Sequence, residues 1–188
     1  MTELGVRLFD DRDREAVWVL HEWAMRHTDT NPDDIPGTED LDDISESYID
    51  AGGAFLVGVL EGLPADVTPD NSVVDDRLPP ATFDGTLVAM GGIVPNAAGH
   101  DDERTVDDAA ELHRMRVAPT HQRRGYGRVL LEALEDAAHE HGFDVLLATT
   151  ARTQPAAVEF YPSAGYEMVG SSTEAGYELV HFEKRLDT

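Results

Sequence analysis

Cysteine does not occur in these 188 residues, which excludes a disulfide framework, a thiolate metal site and a thiol nucleophile. Lysine is nearly as scarce, with Lys184 the only one. A P-loop needs a lysine directly behind its glycines, so no segment ahead of position 184 meets that pattern. No window approaches the roughly eighteen consecutive apolar residues of a membrane-spanning helix. The start, Met1-Thr2-Glu3, has no basic n-region of a secretory leader, and the expectation is a cytoplasmic protein.

Positive charge is scarce as well. Fourteen Lys+Arg stand against 38 Asp+Glu, for a formal net charge of -24. Such a chain repels nucleic acid and anionic membrane surfaces, so neither is expected as a partner. An acidic, lysine-poor surface stays hydrated in concentrated salt, where screening removes the cost of self-repulsion. This composition points to a halophilic source with an acidic proteome.

What is present suffices for one core: 41% of residues are hydrophobic and 7% aromatic, and residues 1–188 read as a single domain. Val6–Phe9 reads as a strand. A helix capped by Asp11 or Asp13 follows through Val17, Leu20, Trp23 and Ala24, where Trp18 and Trp23 serve the core. Leu41, Ile44 and Tyr48, at i, i+3 and i+7, predict a second helix from about Thr38 to Gly52-Gly53. Ala54–Leu60, Thr86–Val94 and Ala110–Val117 read as strands, separated by acidic loop inserts near 61–85 and 95–108. A helix over Tyr126–His141, stopped by Gly142, leads to a buried strand Phe143–Thr149. Thr153 is the expected cap of a short helix ending at Gly165, and strands Tyr166–Gly170 and Tyr177–Leu186, joined by a turn over Ser171–Gly176, close the chain.

One segment reverses the charge. From Leu112 to Leu131 there is no acid, and five arginines occur: Arg114, Arg116, Arg123, Arg124 and Arg128. Two readings follow, a bound anion or a basic patch paired with nearby acids. The glycines favour the anion. Gln122-Arg123-Arg124-Gly125-Tyr126-Gly127 lies between a strand and a helix, where the first helical amides lack internal partners and the glycines remove Cβ atoms from the approach of a phosphate. A dinucleotide fingerprint fails, because the next glycine after Gly127 is Gly142. His139 and His141 do not share a helical face, so no metal site is expected there.

The run from Glu111 to Leu131 resembles the acyl-CoA signature of the Gcn5-related N-acetyltransferases (GNAT), whose pattern [Gln/Arg]-x-x-Gly-x-[Gly/Ala] is met at Gln122, Gly125 and Gly127. Ala157, Phe160-Tyr161 and Gly165-Tyr166 resemble that family's second motif, with Gln154 standing where asparagine is usual. The resemblance covers about residues 86 to 170. It implies an α/β (α+β) fold with a central mixed, mostly antiparallel sheet of about six to seven strands and about four flanking helices. It also implies acetyl-CoA as co-substrate, no metal, and transfer of the acetyl group to a primary amine by direct attack in a ternary complex. Alternatives are a non-catalytic acyl-CoA sensor and a protein N-terminal acetyltransferase. The protein would be a monomer or homodimer.

The resemblance further implies that the backbone of Met115 and Val117 pairs with the pantetheine arm, and that amides from Arg123 through Arg128, including Gly125, Tyr126 and Gly127, hold the pyrophosphate. Arg123, Arg124 and Arg128 would reach toward the 3′-phosphate, and Gln154 toward the pantetheine. Tyr161 stands at the family's general acid. An amine of pKa about 10.4 must lose a proton before it attacks a thioester. Glu111, directly or through water, and His113 are the candidate bases. Strand alternation predicts Glu111, His113, Met115 and Val117 on one face.

Overall fold

The computed structural model describes residues 3–28, 38–62, 78–96, 106–174 and 176–186. Eight strands form one sheet: β1 (Leu4–Leu8), β2 (Ala54–Glu61), β3 (Ala81–Thr82), β4 (Gly85–Pro95), β5 (Ala109–Val117), β6 (Val145–Ala151), β7 (Glu167–Glu174) and β8 (Tyr177–Arg185). Their order is β1-β2-β4-β5-β6-β8-β7, with the two-residue β3 attached to β4. Every pairing is antiparallel except β5 with β6. This is the mixed, mostly antiparallel sheet that the resemblance implies, with the short β3 bringing it to eight strands where about six to seven were expected.

Alternation along the strands divides the core between two faces. Phe55, Val57 and Val59 of β2 pack with Leu20 and Trp23 of α1 (Arg14–Arg26), whereas Ala54 and Leu56 pack with Leu130 and Leu134 of α2 (Tyr126–Glu140). The third helix, α3 (Pro155–Ser163), lies on the α2 face and contributes Tyr161. Burying side chains such as Leu20 and Leu130, both fully enclosed, stabilises by roughly 1.5–3 kcal/mol each. The lone lysine is consumed in this packing: Lys184 on β8 meets Glu135 of α2 at 2.8 Å, and Tyr166 donates to the same carboxylate.

Four local expectations need correction. The segment from Thr38 is not one α-helix but a 3-10 turn (Thr38–Leu41) followed by a π-helical turn (Ser45–Ile49). Leu41, Ile44 and Tyr48 are nevertheless all buried, so the apolar spacing marked the right face while the hydrogen bonding differs. The wider turn, closed by Asp50 N–H donating to the Ser45 carbonyl, lets Tyr48 lean on Phe55 and Gly92, where a Cβ at position 92 would stand 2.4 Å from the tyrosine ring. The cap of α3 is Gln154 rather than Thr153, with Pro155 next and no side-chain capping bond. Ser171–Glu174 belongs to β7, which pairs down to Glu174 opposite Tyr177. Of the loop inserts near 61–85 and 95–108, residues 63–77 and 97–105 lie outside the described residues.

The fourth correction concerns β5. Gly92 pairs with His113 and Met90 with Arg116, so Arg114 and Met115 together face Gly91, a β-bulge with Arg114 at φ 55°. A bulge inserts one residue and shifts the alternation beyond it. Met115 and Val117 therefore join the α2 face with Ala110 and Leu112, and do not share the face of Glu111 and His113. His113 instead meets the ring of Tyr48, whose centroid lies 6.4 Å away.

Candidate functional site

The parallel pair β5–β6 is in register only from Ala109 opposite Val145 to Leu112 opposite Ala148. Beyond that point β5 runs on to Val117 and β6 to Ala151 without pairing each other. The bulge at Arg114 begins where the pairing ends, and greater local twist is the ordinary consequence of a bulge. Side chains rather than a strand meet the carbonyls on β5 beyond this point: Arg116 Nη1 donates to Met115 O at 2.9 Å and Gln122 Nε2 to Val117 O at 3.3 Å.

The chain leaves β5 through a 3-10 turn, Pro119–His121, and enters α2 through Gln122–Gly125. Arg123 (φ 60°) and Gly125 (φ 89°) are both left-handed. Residues of alternating hand turn successive N–H groups to one side, the concave arrangement that receives anions. Gly125 caps α2 without a side-chain bond, and a Cβ built there meets nothing within 4 Å. Among the described residues the Cβ direction of Gly125 therefore opens on free space. Gly127 differs, since its Cβ would rest in ordinary contact with Val117 at 3.6 Å and Phe160 at 3.8 Å. His121 stacks beside Tyr126 with ring centroids 6.2 Å apart.

The five arginines separate into three groups. Arg123 and Arg124 are exposed on the turn. Arg128 donates to the Ser163 carbonyl at 2.9 Å, tying α2 to the end of α3. Arg114 and Arg116 lie on β5, where Arg114 holds Asp40 through Nε and Nη2, each at 3.0 Å. The paired reading of the basic run thus holds for Arg114, whereas Arg123 and Arg124 stand exposed at the turn.

Tyr161 is buried on α3 among Phe160, Tyr166 and Phe182. Burial pushes its hydroxyl up to about 12, against an opposing pull from the charge of Arg116, so it keeps its proton at neutral pH. Glu111 is buried on the opposite side of the sheet from α2. Thr149 on β6 donates to its Oε1 at 3.3 Å, and the same hydroxyl lies 3.1 Å from Nδ1 of His181 on β8, whose Nε2 is 2.9 Å from the Ser172 hydroxyl on β7. Gln154 lies at the head of α3, its Oε1 3.4 Å from the Thr150 hydroxyl.

Sequence reasoning missed Thr149 and His181 because their closeness is a cross-strand pairing, visible only once β6 and β8 are in register. It also missed a group on the α1 side: His21, Asp40 and Tyr48, gathered around Arg114 and Arg116. Tyr48 donates to Asp40, and burial with that carboxylate drives its own ionisation far upward. Burial, then Arg116 and Arg114, lower His21 to about 4. Among the described residues no cluster of three His, Cys, Asp or Glu is placed to hold a metal ion. No described helix is long and apolar enough to cross a membrane.

The sequence profile of the acetyltransferase (GNAT) family matches residues 41–166, more than half of the chain and the whole span from the π-turn to the end of α3. The chain belongs to this family. A probable N-acetyltransferase 14 from Xenopus tropicalis is 34% identical over 79 residues, 42% of this chain and 36% of that protein, so the match spans about a third of that relative's length. An acetyltransferase of the GNAT family from Staphylococcus aureus superposes with a TM-score of 0.69 at 15% identity, covering 98% of this chain and all of that one. The yncA protein of Salmonella typhimurium, solved with its cofactor acetyl-CoA, gives 0.67 at 21% identity over 99% of this chain and 95% of that one. A ribosomal-protein-alanine N-acetyltransferase from Brucella melitensis gives 0.69 at 20% identity over 97% and 100%. At these identities the superpositions establish the GNAT fold.

Proposed function

We propose that the protein is an N-acetyltransferase that moves the acetyl group of acetyl-CoA to a primary amine within a ternary complex. The observation that carries this reading is the open, left-handed Gly125 turn at the head of α2, set directly behind the unpaired end of β5. A diphosphate on that turn and an extended arm along Met115–Val117 suit the same bound molecule, because a peptide-like arm pairs with an exposed strand edge without needing particular side chains. Arg123 and Arg124 add positive charge at the turn. Arg128 braces α2 against α3, and Gln122 holds the end of β5, so both act on the shape of the cradle.

Acetyl-CoA supplies the thioester. Glu111 takes the proton that the ammonium must give up, leaving the nitrogen lone pair free to bond to the carbonyl carbon. Glu111 passes that proton on to solvent. As the carbon–sulfur bond breaks, Tyr161 gives its proton to the departing sulfur, and the surplus proton on the nitrogen of the new amide returns to Tyr161, restoring both groups. The two groups suit these parts. The Tyr161 hydroxyl retains its proton until about pH 12, and the Glu111 carboxylate is linked to a chain of exchangeable protons through Thr149, His181 and Ser172. His113, turned onto Tyr48, is the weaker candidate for the base.

The test is thiol release from acetyl-CoA across a panel of primary amines, assayed at several KCl concentrations. Acceptor-dependent release is the expected result. Tight binding of coenzyme A with no release to any acceptor would instead make the protein an acyl-CoA sensor.

A further inference from the structure

Arg116 has no carboxylate partner among the described residues and one enclosed donor left unused. Its Nη1 is spent on the carbonyl of its own neighbour, Met115, and its Nε is enclosed with no hydrogen-bond partner. The nearest carboxylate of the group, Asp40, is occupied by Arg114 and by the Tyr48 hydroxyl. Burial first, and then the like charge of Arg114, draw Arg116 down to about 10, so Arg114 opposes the charge of Arg116 instead of relieving it. His21 of α1 closes the group, 3% exposed and with Nδ1 unpartnered. Two guanidinium groups and one carboxylate leave this enclosure cationic, with donors in excess.

Arg116 is half-buried, but its Nε–H is enclosed without a partner, and leaving an enclosed donor unmade is costly, so this donor does not persist for the fold's sake. Nor are acids in short supply: 38 are distributed over the chain, yet none of the described ones pairs with Arg116. The position is also specific. Arg116 lies beyond the bulge, on the part of β5 that pairs with β4 but not with β6, and its charge acts on Tyr161. The excess donors thus adjoin the site where the proposed transfer takes place.

We infer that the acceptor carries an oxyanion, a carboxylate or a phosphonate, on the same small molecule as its amine, and that Arg116 with His21 receives it. The inference rests on the acetyl-transfer reading for the identity of the ligand as acceptor, but not for the existence of an anion site. A guanidinium is suited to such a group because its planar donors match two oxygens at once. The His21 tautomer protonated on Nδ1 adds a neutral donor. The amine of such a molecule is then presented to Glu111, and a cationic acceptor without an oxyanion meets repulsion from Arg114 and Arg116 despite the acidic exterior.

The experiment compares matched acceptors in thiol release: L-methionine, L-phenylalanine and L-glutamate, each beside its α-carboxamide, and aminomethylphosphonate beside methylamine. Charge-assisted hydrogen bonds predict about a ten- to hundred-fold preference in kcat/KM for the anionic member. Arg116→Gln should bring the pair to near parity with coenzyme A affinity unchanged, and Arg116→Lys should keep part of the preference. The phosphonate arm separates the two oxyanions. Calorimetry with the N-acetyl derivatives of the same compounds needs no turnover: the wild type should bind the anions and not the amides, and Arg116→Gln neither. Release to neutral amines with no anionic preference would overturn the inference and leave acetyl transfer standing. Anion binding that depends on Arg116, with no thiol release, would leave the site standing and remove the transferase reading. Binding of none of the anions by either method would overturn the inference.

Discussion

Glu111 and His181 lie on strands separated by β6, yet a single hydroxyl joins them: Thr149 Oγ1 is 3.3 Å from Glu111 Oε1 and 3.1 Å from His181 Nδ1. With Thr149 donating to the carboxylate, His181 presents an N–H at Nδ1, and in the neutral ring Nε2 accepts from Ser172. The chain therefore runs from a buried acid on the central strand to an exposed residue on the edge strand.

Thr149→Val keeps the shape of the side chain and removes the link. The loss of one hydrogen bond, about 1 kcal/mol, should lower turnover roughly five-fold. Turnover identical to wild type would separate the chain of hydroxyls and imidazole from the reaction.

Tyr161→Phe tests the proton donor. General acid–base groups contribute about a hundred-fold or more, so turnover should fall by about that factor while coenzyme A affinity, measured by calorimetry, stays within about two-fold. Unchanged turnover would reduce Tyr161 to a core aromatic.

His21 makes stability depend on pH in a defined window. Its folded value of about 4 lies below the ordinary 6.5, so between these the unfolded chain binds the extra proton and acid favours unfolding; below about pH 4 both states are protonated and the loss is complete. The groups facing it are Arg116, Arg114 and Asp40, the two cations outweighing the acid. Carboxylate protonation in so acidic a chain relieves repulsion in the same range, so the comparison is with His21→Leu. Denaturation at pH 7 and pH 4.5 should show wild type losing up to a few kcal/mol more than the variant. Equal losses would mean that His21 is not held neutral.

The sequence disclosed the parts of the site that are local. Gln122–Gly127 and Phe160–Tyr161 could be read because a turn entering a helix and a helical aromatic pair are written in consecutive residues. The bulge could not. Arg114 adopts a left-handed conformation that only glycine or asparagine would have advertised, so the alternation of β5 was carried one residue too far. The cluster around Arg116 was hidden for another reason, since Asp40 and Arg114 are 74 residues apart and meet only when the turns before β2 fold over the bulge. The Thr38–Tyr48 segment was legible as an apolar face, and its π-turn became necessary only with Tyr48 seated over Gly92.

The central claim is that the turn ahead of α2 holds a diphosphate, and titration of coenzyme A by calorimetry tests it most directly. Wild type should bind, and Gly127→Ala should bind nearly as well, because its added methyl finds ordinary contacts. Gly125→Ala must strain a left-handed backbone at φ 89° on the turn that would hold the diphosphate. Its affinity should drop by about ten-fold or more, the equivalent of about 1.4 kcal/mol. No heat with the wild type, or equal affinity for Gly125→Ala and wild type, would contradict the account.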